Sequence, residues 1–225
     1  MLSESDLNAF LLTVWLAFLS TLVLIALGTP LAWWLARTNW RGKVILDAVI
    51  ALPIVLPPTV LGFYLLLALG PNGPLASFVG SDGGTLAFSF TGLVIGSVIY
   101  SLPFVVQPIQ TAFESVRNDQ LEVAATLGAP PWKTFFTVAL PMARSGIVTG
   151  GVLGFAHTLG EFGVVLMIGG NIPGVTRVVS IAIYDHVEGL NYGDAHRLSA
   201  LLLVVSFFLL LFVYGINRHY RISVG

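Results

Sequence analysis

From Ala9 to Ala36 the chain carries no charged residue. A stretch of that length exceeds the roughly 20 residues an α-helix needs to cross a hydrocarbon layer of about 30 Å. In that layer every backbone N–H and C=O must be paired within the protein, which a helix achieves by itself. Further apolar stretches run over 44–69, 90–113, 146–168 and 198–216, so the spacing predicts an all-α, polytopic membrane bundle of five spans. Only 9% of residues are charged, 56% are apolar and the mean hydropathy is +0.91, which excludes an ordinary soluble domain. A net charge of -1 argues against nucleic-acid binding, because no basic surface is available to neutralise phosphates. The absence of cysteine excludes disulfides, thiolate metal sites and cysteine nucleophiles. The opening MLSESDLN has no positive n-region, so the first span is expected to be retained.

Prolines mark where the spans cannot be regular. Pro53, Pro57 and Pro58 must kink or break the second, and Pro103 and Pro108 are expected to interrupt the third. The glycine-, proline- and serine-rich segment from Gly70 to Ser89 reads as a loop, with a short interfacial helix around Leu75 to Val79. Between the fourth and fifth spans, VVSIAIY is too short to cross and reads as a surface or re-entrant helix. Trp33, Trp34 and Trp40 fit an interfacial belt at the far end of the first span. With five spans, Arg37, Arg41 and Lys43, then Arg117, Lys133 and Arg144, then Arg218 and Arg221 all fall on one side. By the positive-inside rule that side is cytoplasmic, the N-terminus is external, and Arg177 and Arg197 are external too. A sixth span from the N-terminal region or from the Gly70 to Ser89 segment would invert part of this scheme.

One long polar interruption, residues 118–141 (NDQLEVAATLGAPPWKTFFTVALP), has helix signals of its own. Asp119 followed by Glu122 reads as a capping box, in which Asp119 accepts from free N–H groups and Glu122 reaches back. Gly128 can take the left-handed conformation that closes a helix, and Pro130 and Pro131 forbid continuation. The small residues Ala124 and Ala125 between these signals let another backbone approach closely. On its own, such a segment reads as a connector.

The order Glu122-Val123-Ala124, three residues, Gly128, nine residues, Val138-Ala139-Leu140-Pro141 resembles the EAA loop of ATP-binding-cassette importer permeases. Val123 departs from the alanine of that pattern and Val138 from its isoleucine. LPIVLPPTVLGFYLL at 52–66, LGEFG at 159–163 and NIPGVTR at 171–177 look like the molybdate branch, with tungstate and sulfate/thiosulfate permeases as neighbours. The resemblance implies a type I importer permease fold and a homodimer in the inner membrane of a prokaryote. It implies two ATP-binding-cassette ATPase subunits carrying ATP and Mg, and a periplasmic or lipid-anchored oxyanion-binding protein. The ATPase contact would fall on Glu122, Ala124, Ala125, Gly128, Leu140 and Pro141. No cofactor is expected on this chain and no enzymatic role. The only Gly-Lys, Gly42-Lys43, has Arg37 and Val44 where a phosphate loop needs glycine and a hydroxyl.

Glu161 is a carboxylate in an apolar span, which costs about 2.5 to 3.5 kcal/mol at the centre, so it should be paired, buried or beside water. Two readings stay open: an ion pair with Arg177 or Arg197, or a place with Gly160 and Gly163 in a translocation path or gate. His157 lies four residues before Glu161, yet no second histidine completes HExxH and a metal site is disfavoured. Gln107 reads as an interhelical hydrogen bond. Competing classes are a proton-coupled secondary transporter using Glu161, disfavoured by the lack of an inverted repeat, and an intramembrane hydrolase, for which no GxSxG is present.

Overall fold

A computed structural model describes residues 3–75 and 85–222, and every element in it is helical. The interfacial helix expected around Leu75 to Val79 lies, beyond Leu75, outside the described residues. Helix α1 (Glu4–Arg37) starts at Ser3, whose side chain accepts from Asp6 N at 3.1 Å, and carries Glu4 and Asp6 in its first turn and Arg37 in its last. Both choices suit the helix dipole. Its inward stripe is small or aliphatic: Ala9, Thr13, Leu16, Ala17, Ser20, Leu24, Gly28 and Ala32 are buried, while Trp15, Phe18, Leu22 and Leu27 face outward. Small residues on that stripe let α4 (Phe90–Glu114) pack closely.

The second apolar stretch does not cross as one kinked helix. It forms α2 (Lys43–Val55) and α3 (Pro58–Leu69), inclined at 112° to each other. Pro57 lacks an N–H and pushes Leu56 into extended backbone (φ -70°, ψ 136°), while Pro58 starts α3 in the one helical position where proline is favoured. Together the two still join the ends of the bundle: Lys43 pairs with Glu114 at 3.2 Å, and Leu69 accepts from Ala87 N close to the start of α4.

Pro103 and Pro108 have the opposite outcome. They do not interrupt the third span, because α4 runs unbroken past both. Helix α8 (Arg144–Leu159) presents Gly146, Gly150 and Gly154 to this helix, and a Cβ at Gly146 or Gly150 would sit 2.7 or 2.8 Å from the carbonyl oxygens of Pro108 and Val105. That close approach packs α8 tightly along the stretch of α4 that carries Pro108.

The polar interruption forms α5 (Asn118–Thr126), α6 (Pro131–Thr134), a π-helical turn at Phe135–Ala139 and α7 (Leu140–Met142). A 69° bend then leads into α8. The fourth apolar stretch, expected to be continuous over 146–168, is divided: α8 ends at Leu159 and α9 (Gly163–Gly169) resumes after Gly160, Glu161 and Phe162. Pro58 presses on the restart, since a Cβ at Gly163 would lie 2.6 Å from Pro58 Cβ. VVSIAIY lies largely in α10 (Val179–Glu188), whose Val179, Ile181 and Ala182 are buried. Helix α11 (Tyr192–Ile222) begins ahead of Leu198.

By length and apolarity α1, α4 and the Tyr192–Phe212 part of α11 can each cross a membrane, and the two bent pairs can each supply one further span. Helix α4 is the axis, packed against α1, α8, α9 and α2. One core gathers Leu24, Leu35, Val105, Ile109 and Phe113; a second gathers Leu16, Leu93, Val164, Ile168 and Ile181. At one end of the bundle Arg37 meets Asn118 and Lys43 meets Glu114. At the other, Asp6 meets His186 at 2.9 Å, and Thr13 Oγ1 accepts from Val179 N at 2.7 Å.

Candidate functional site

Helix α5 starts two residues earlier than its capping signals imply. Arg117 occupies the cap position and offers no side-chain cap bond. Asp119 sits inside the first turn, accepting from Gln120 N at 2.9 Å and pairing with Arg117 at 2.6 Å, and the exposed Glu122 does not reach back. The Arg117 pair competes for the carboxylate that a capping box would have used. The other end follows the expected pattern. Gly128 has φ +80°, Gly128 N donates to Ala125 O at 2.9 Å and Ala129 N donates to Ala124 O at 3.0 Å, the paired bonds of a Schellman closure. Pro130 continues in extended backbone and Pro131 opens α6.

No residue of α5 is buried. Leu121 is its anchor, packed at the edge of the first core. Glu122, Ala125 and Gly128 are exposed and Ala124 is half-buried. Beside them stand Val123, Leu127 and Trp132, exposed by 58%, 83% and 67%. Apolar side chains so far out on a short polar segment mark a surface for another protein. The spacing-based reading missed these three; an apolar residue flanking each side of a small-residue helix was the available signal. Leu140 and Pro141 are not on this surface. Leu140 packs toward the core, and both line an apolar groove of about 690 Å³ between α1 and α8, with Thr29, Phe136 and Arg144.

A contact set invisible in the sequence ties α5 to the spans. Arg37 Nη1 donates to Asn118 Oδ1 at 2.7 Å, and Nη2 donates to Phe113 O at 2.9 Å and Val116 O at 2.7 Å. Its guanidinium lies 5.0 Å over the Trp33 ring, which meets Phe113 and Phe135 edge-on at 5.1 and 5.4 Å.

Glu161 lies in the break between α8 and α9, only 4% exposed. The pairing with Arg177 or Arg197 is not made. Arg177 pairs with Asp185 at 3.0 Å and donates to Asn171, and Arg197 pairs with Asp194 at 2.7 Å. Nearer acceptors on their own loops and turns satisfy both arginines. Ser97 is the polar neighbour of the Glu161 carboxyl, yet neither side chain closes a hydrogen bond. The backbone is better held, because Ser180 Oγ donates to Glu161 O at 2.6 Å and so fixes α10 to the break. His157 turns away to Ser101, 2.9 Å from its Nδ1, and stacks on Phe104 at 4.0 Å.

Gln107 is exposed, with its side chain directed away from the packed helices and not engaged in the interhelical bond expected of it. It shares a face of α4 with Thr111 and Glu114, both exposed, and Tyr100 and Gln110 border that face. A polar stripe on a helix of this apolarity must face water or another chain.

A bundle of broken apolar helices around a proline-bearing central helix, with a short exposed helix projecting from one end, has the architecture of a polytopic membrane protein. The chain belongs to the family of binding-protein-dependent transport system inner membrane components, whose pattern matches residues 28–222. It is 58% identical over 218 residues to the molybdenum transport system permease protein ModB of Azotobacter vinelandii, covering 96% of each chain. It is 37% identical over 210 residues to a probable sulfate transport system permease protein cysT of Zygnema circumcarinatum, covering 92% of this chain and 72% of that one. The fold matches a bacterial ABC transporter involved in import of the acidic polysaccharide alginate, with a TM-score of 0.78 and 20% identity over 96% of this chain and 80% of the other.

Proposed function

We propose that this chain is the membrane-spanning subunit of an ATP-driven importer for molybdate. The observation that carries the substrate is the 58% identity, along nearly the full length of both chains, to a molybdenum permease. In this reading two copies enclose the path, an external binding protein delivers the anion, and a separate pair of ATPase subunits docks on α5. Gly128, Ala125 and Glu122 form the docking face with Val123, Leu127 and Trp132, Ala124 lies half-buried behind it, and Leu140 and Pro141 stand apart from it on the groove between α1 and α8. The end bearing Arg37, Lys43 and Arg117 is cytoplasmic and the end bearing Asp6, Arg177 and His186 is external, in a five-span arrangement with the N-terminus outside.

The polar face of α4 supports a wet path between the copies. Gln107 and Gln110 offer uncharged amide donors there, so a dianion can pass without being trapped by a buried cation. Gly160, Glu161 and Gly163 form the jointed part of the wall, where α8 stops and α9 restarts. ATP and Mg reside on the partner subunits, and this chain supplies no catalytic group.

Proteoliposomes holding the assembled importer, loaded with ATP and given labelled molybdate, test this reading. ATP-dependent uptake that excess sulfate fails to suppress is the expected result. Equal suppression by sulfate would favour the second reading, a sulfate permease, which the 37% identical relative supports. Uptake by this chain alone under a pH gradient, without ATP, would instead indicate secondary transport.

A further inference from the structure

We infer that Arg37, seated on Trp33, is a positioning residue that locks the start of α5 to α1 and α4, so that a displacement of α5 reaches the spans as one movement. The inference rests on the reading of α5 as the ATPase-docking lever.

A lever must be stiff where it joins the load, and α5 has little stiffness of its own at that point. It buries no residue, its first turn has no side-chain cap, and only Ser115, Val116 and Arg117 separate it from the end of α4. Arg37 supplies the missing joint. Its planar, permanently charged fork reaches three acceptors in and around that short connection. Phe113 O lies in the last turn of α4, where carbonyls lack their α-helical partners and the helix dipole is negative, and Val116 O lies in the connection itself. Asn118 Oδ1 belongs to the first residue of α5. One guanidinium therefore fastens the last turn of α1, the last turn of α4 and the first residue of α5.

Trp33 extends the joint to the segment beyond α6. Its ring carries the Arg37 guanidinium on one side and meets Phe135, the first residue of the π-helical turn leading from α6 toward α8. Such a turn is a common site of helix adjustment. The start of α5 and the π-helical turn that follows α6 thus converge on the last turns of α1, and Phe113 of the central helix closes the aromatic cluster. Lysine cannot replace this arrangement, because a single ammonium cannot hold acceptors lying on both edges of a planar fork.

The test uses the complete importer, with its ATPase and binding protein, in liposomes, and reads labelled molybdate taken up per ATP hydrolysed. Arg37→Ala is expected to lower that ratio by roughly 2- to 30-fold, with the ATPase still bound and ATP turnover retained. Arg37→Lys should recover only part of it. Asn118→Ala removes the α5 branch alone and leaves the α4 carbonyls covered, so it guards against a folding defect and should lower the ratio in the same direction by less. A wild-type ratio in Asn118→Ala, or in Arg37→Lys, would overturn the inference, since a merely structural role changes protein yield or melting and not the ratio. Gly128→Trp, measured alongside, separates the two claims. If it transports normally, the lever reading fails and the role of Arg37 falls with it; if only the Arg37 and Asn118 variants behave as wild type, the lever stands without this joint.

Discussion

Glu161 has a buried carboxyl group with neither an ion partner nor a hydrogen bond, in the one place where the α8–α9 line is interrupted. If it serves as part of a jointed wall, its shape matters more than its ionisation. Glu161→Gln keeps the shape, so ATP-driven uptake should stay within about tenfold of wild type, the scale of a 1.4 kcal/mol change; complete loss with ATP turnover intact would point to a proton relay instead. Gly150 makes a firmer demand. A side chain there meets Val105 O at 2.8 Å, and Gly150→Leu should destabilise the solubilised protein by about 1–3 kcal/mol as overpacking, read as a lowered melting temperature. An unchanged melting temperature would mean that α4 and α8 are not in such close contact. At this scale the sequence was informative where the signal is local. Gly128 followed by two prolines announces a left-handed closure, and the closure is present. Arg37 was legible only as a positive charge, because its acceptors lie more than seventy residues further along the chain.

Among the helices, identical residue types led to opposite results. Pro57 and Pro58 split a span, whereas Pro103 and Pro108 ride inside an unbroken α4. Adjacent prolines impose extended backbone on the residue before them, while isolated prolines are carried inside a helix that neighbours hold on several sides. One such neighbour is the glycine face of α8, which no local pattern around Pro103 or Pro108 discloses. Likewise the break at Gly160–Phe162 depends on Pro58 pressing against Gly163 from another element. The start of helix α10 is held to α1 by one hydroxyl, since Thr13 Oγ1 donates to Ala9 O at 2.7 Å and accepts from Val179 N. Thr13→Val keeps the shape and leaves a buried N–H unpaired, a cost of about 1–3 kcal/mol. Hydrogen exchange should show faster exchange confined to α10; unaltered protection there would mean that α10 is held by its apolar face alone.

For the molecule as a whole, the proposed importer takes up force at one end and substrate at the other. Arg37, Trp33 and α4 connect the exposed α5 to the spans, and Ser180 and Thr13 connect α10 to the jointed wall around Glu161. The membrane class was evident from apolar stretches alone, and the coupling role proposed for α5 comes from a resemblance in its spacing. The bends were only partly evident, because a broken span is decided by what packs against it. Gly128 offers the most direct test of the central claim, that α5 passes the movement of a separate ATPase to the spans. A Cβ at Gly128 meets nothing within 4 Å in this chain, but its φ of +80° strains the backbone for most side chains, so the closure of α5 must be checked beside the contact with a partner. Gly128→Asn, which tolerates the left-handed conformation, provides the small-residue control. The decisive measurement is labelled molybdate uptake per ATP hydrolysed by the reconstituted importer carrying Gly128→Trp. The account predicts normal membrane insertion, retained uptake in Gly128→Asn and loss of ATP-coupled uptake in Gly128→Trp; normal uptake in Gly128→Trp would contradict it.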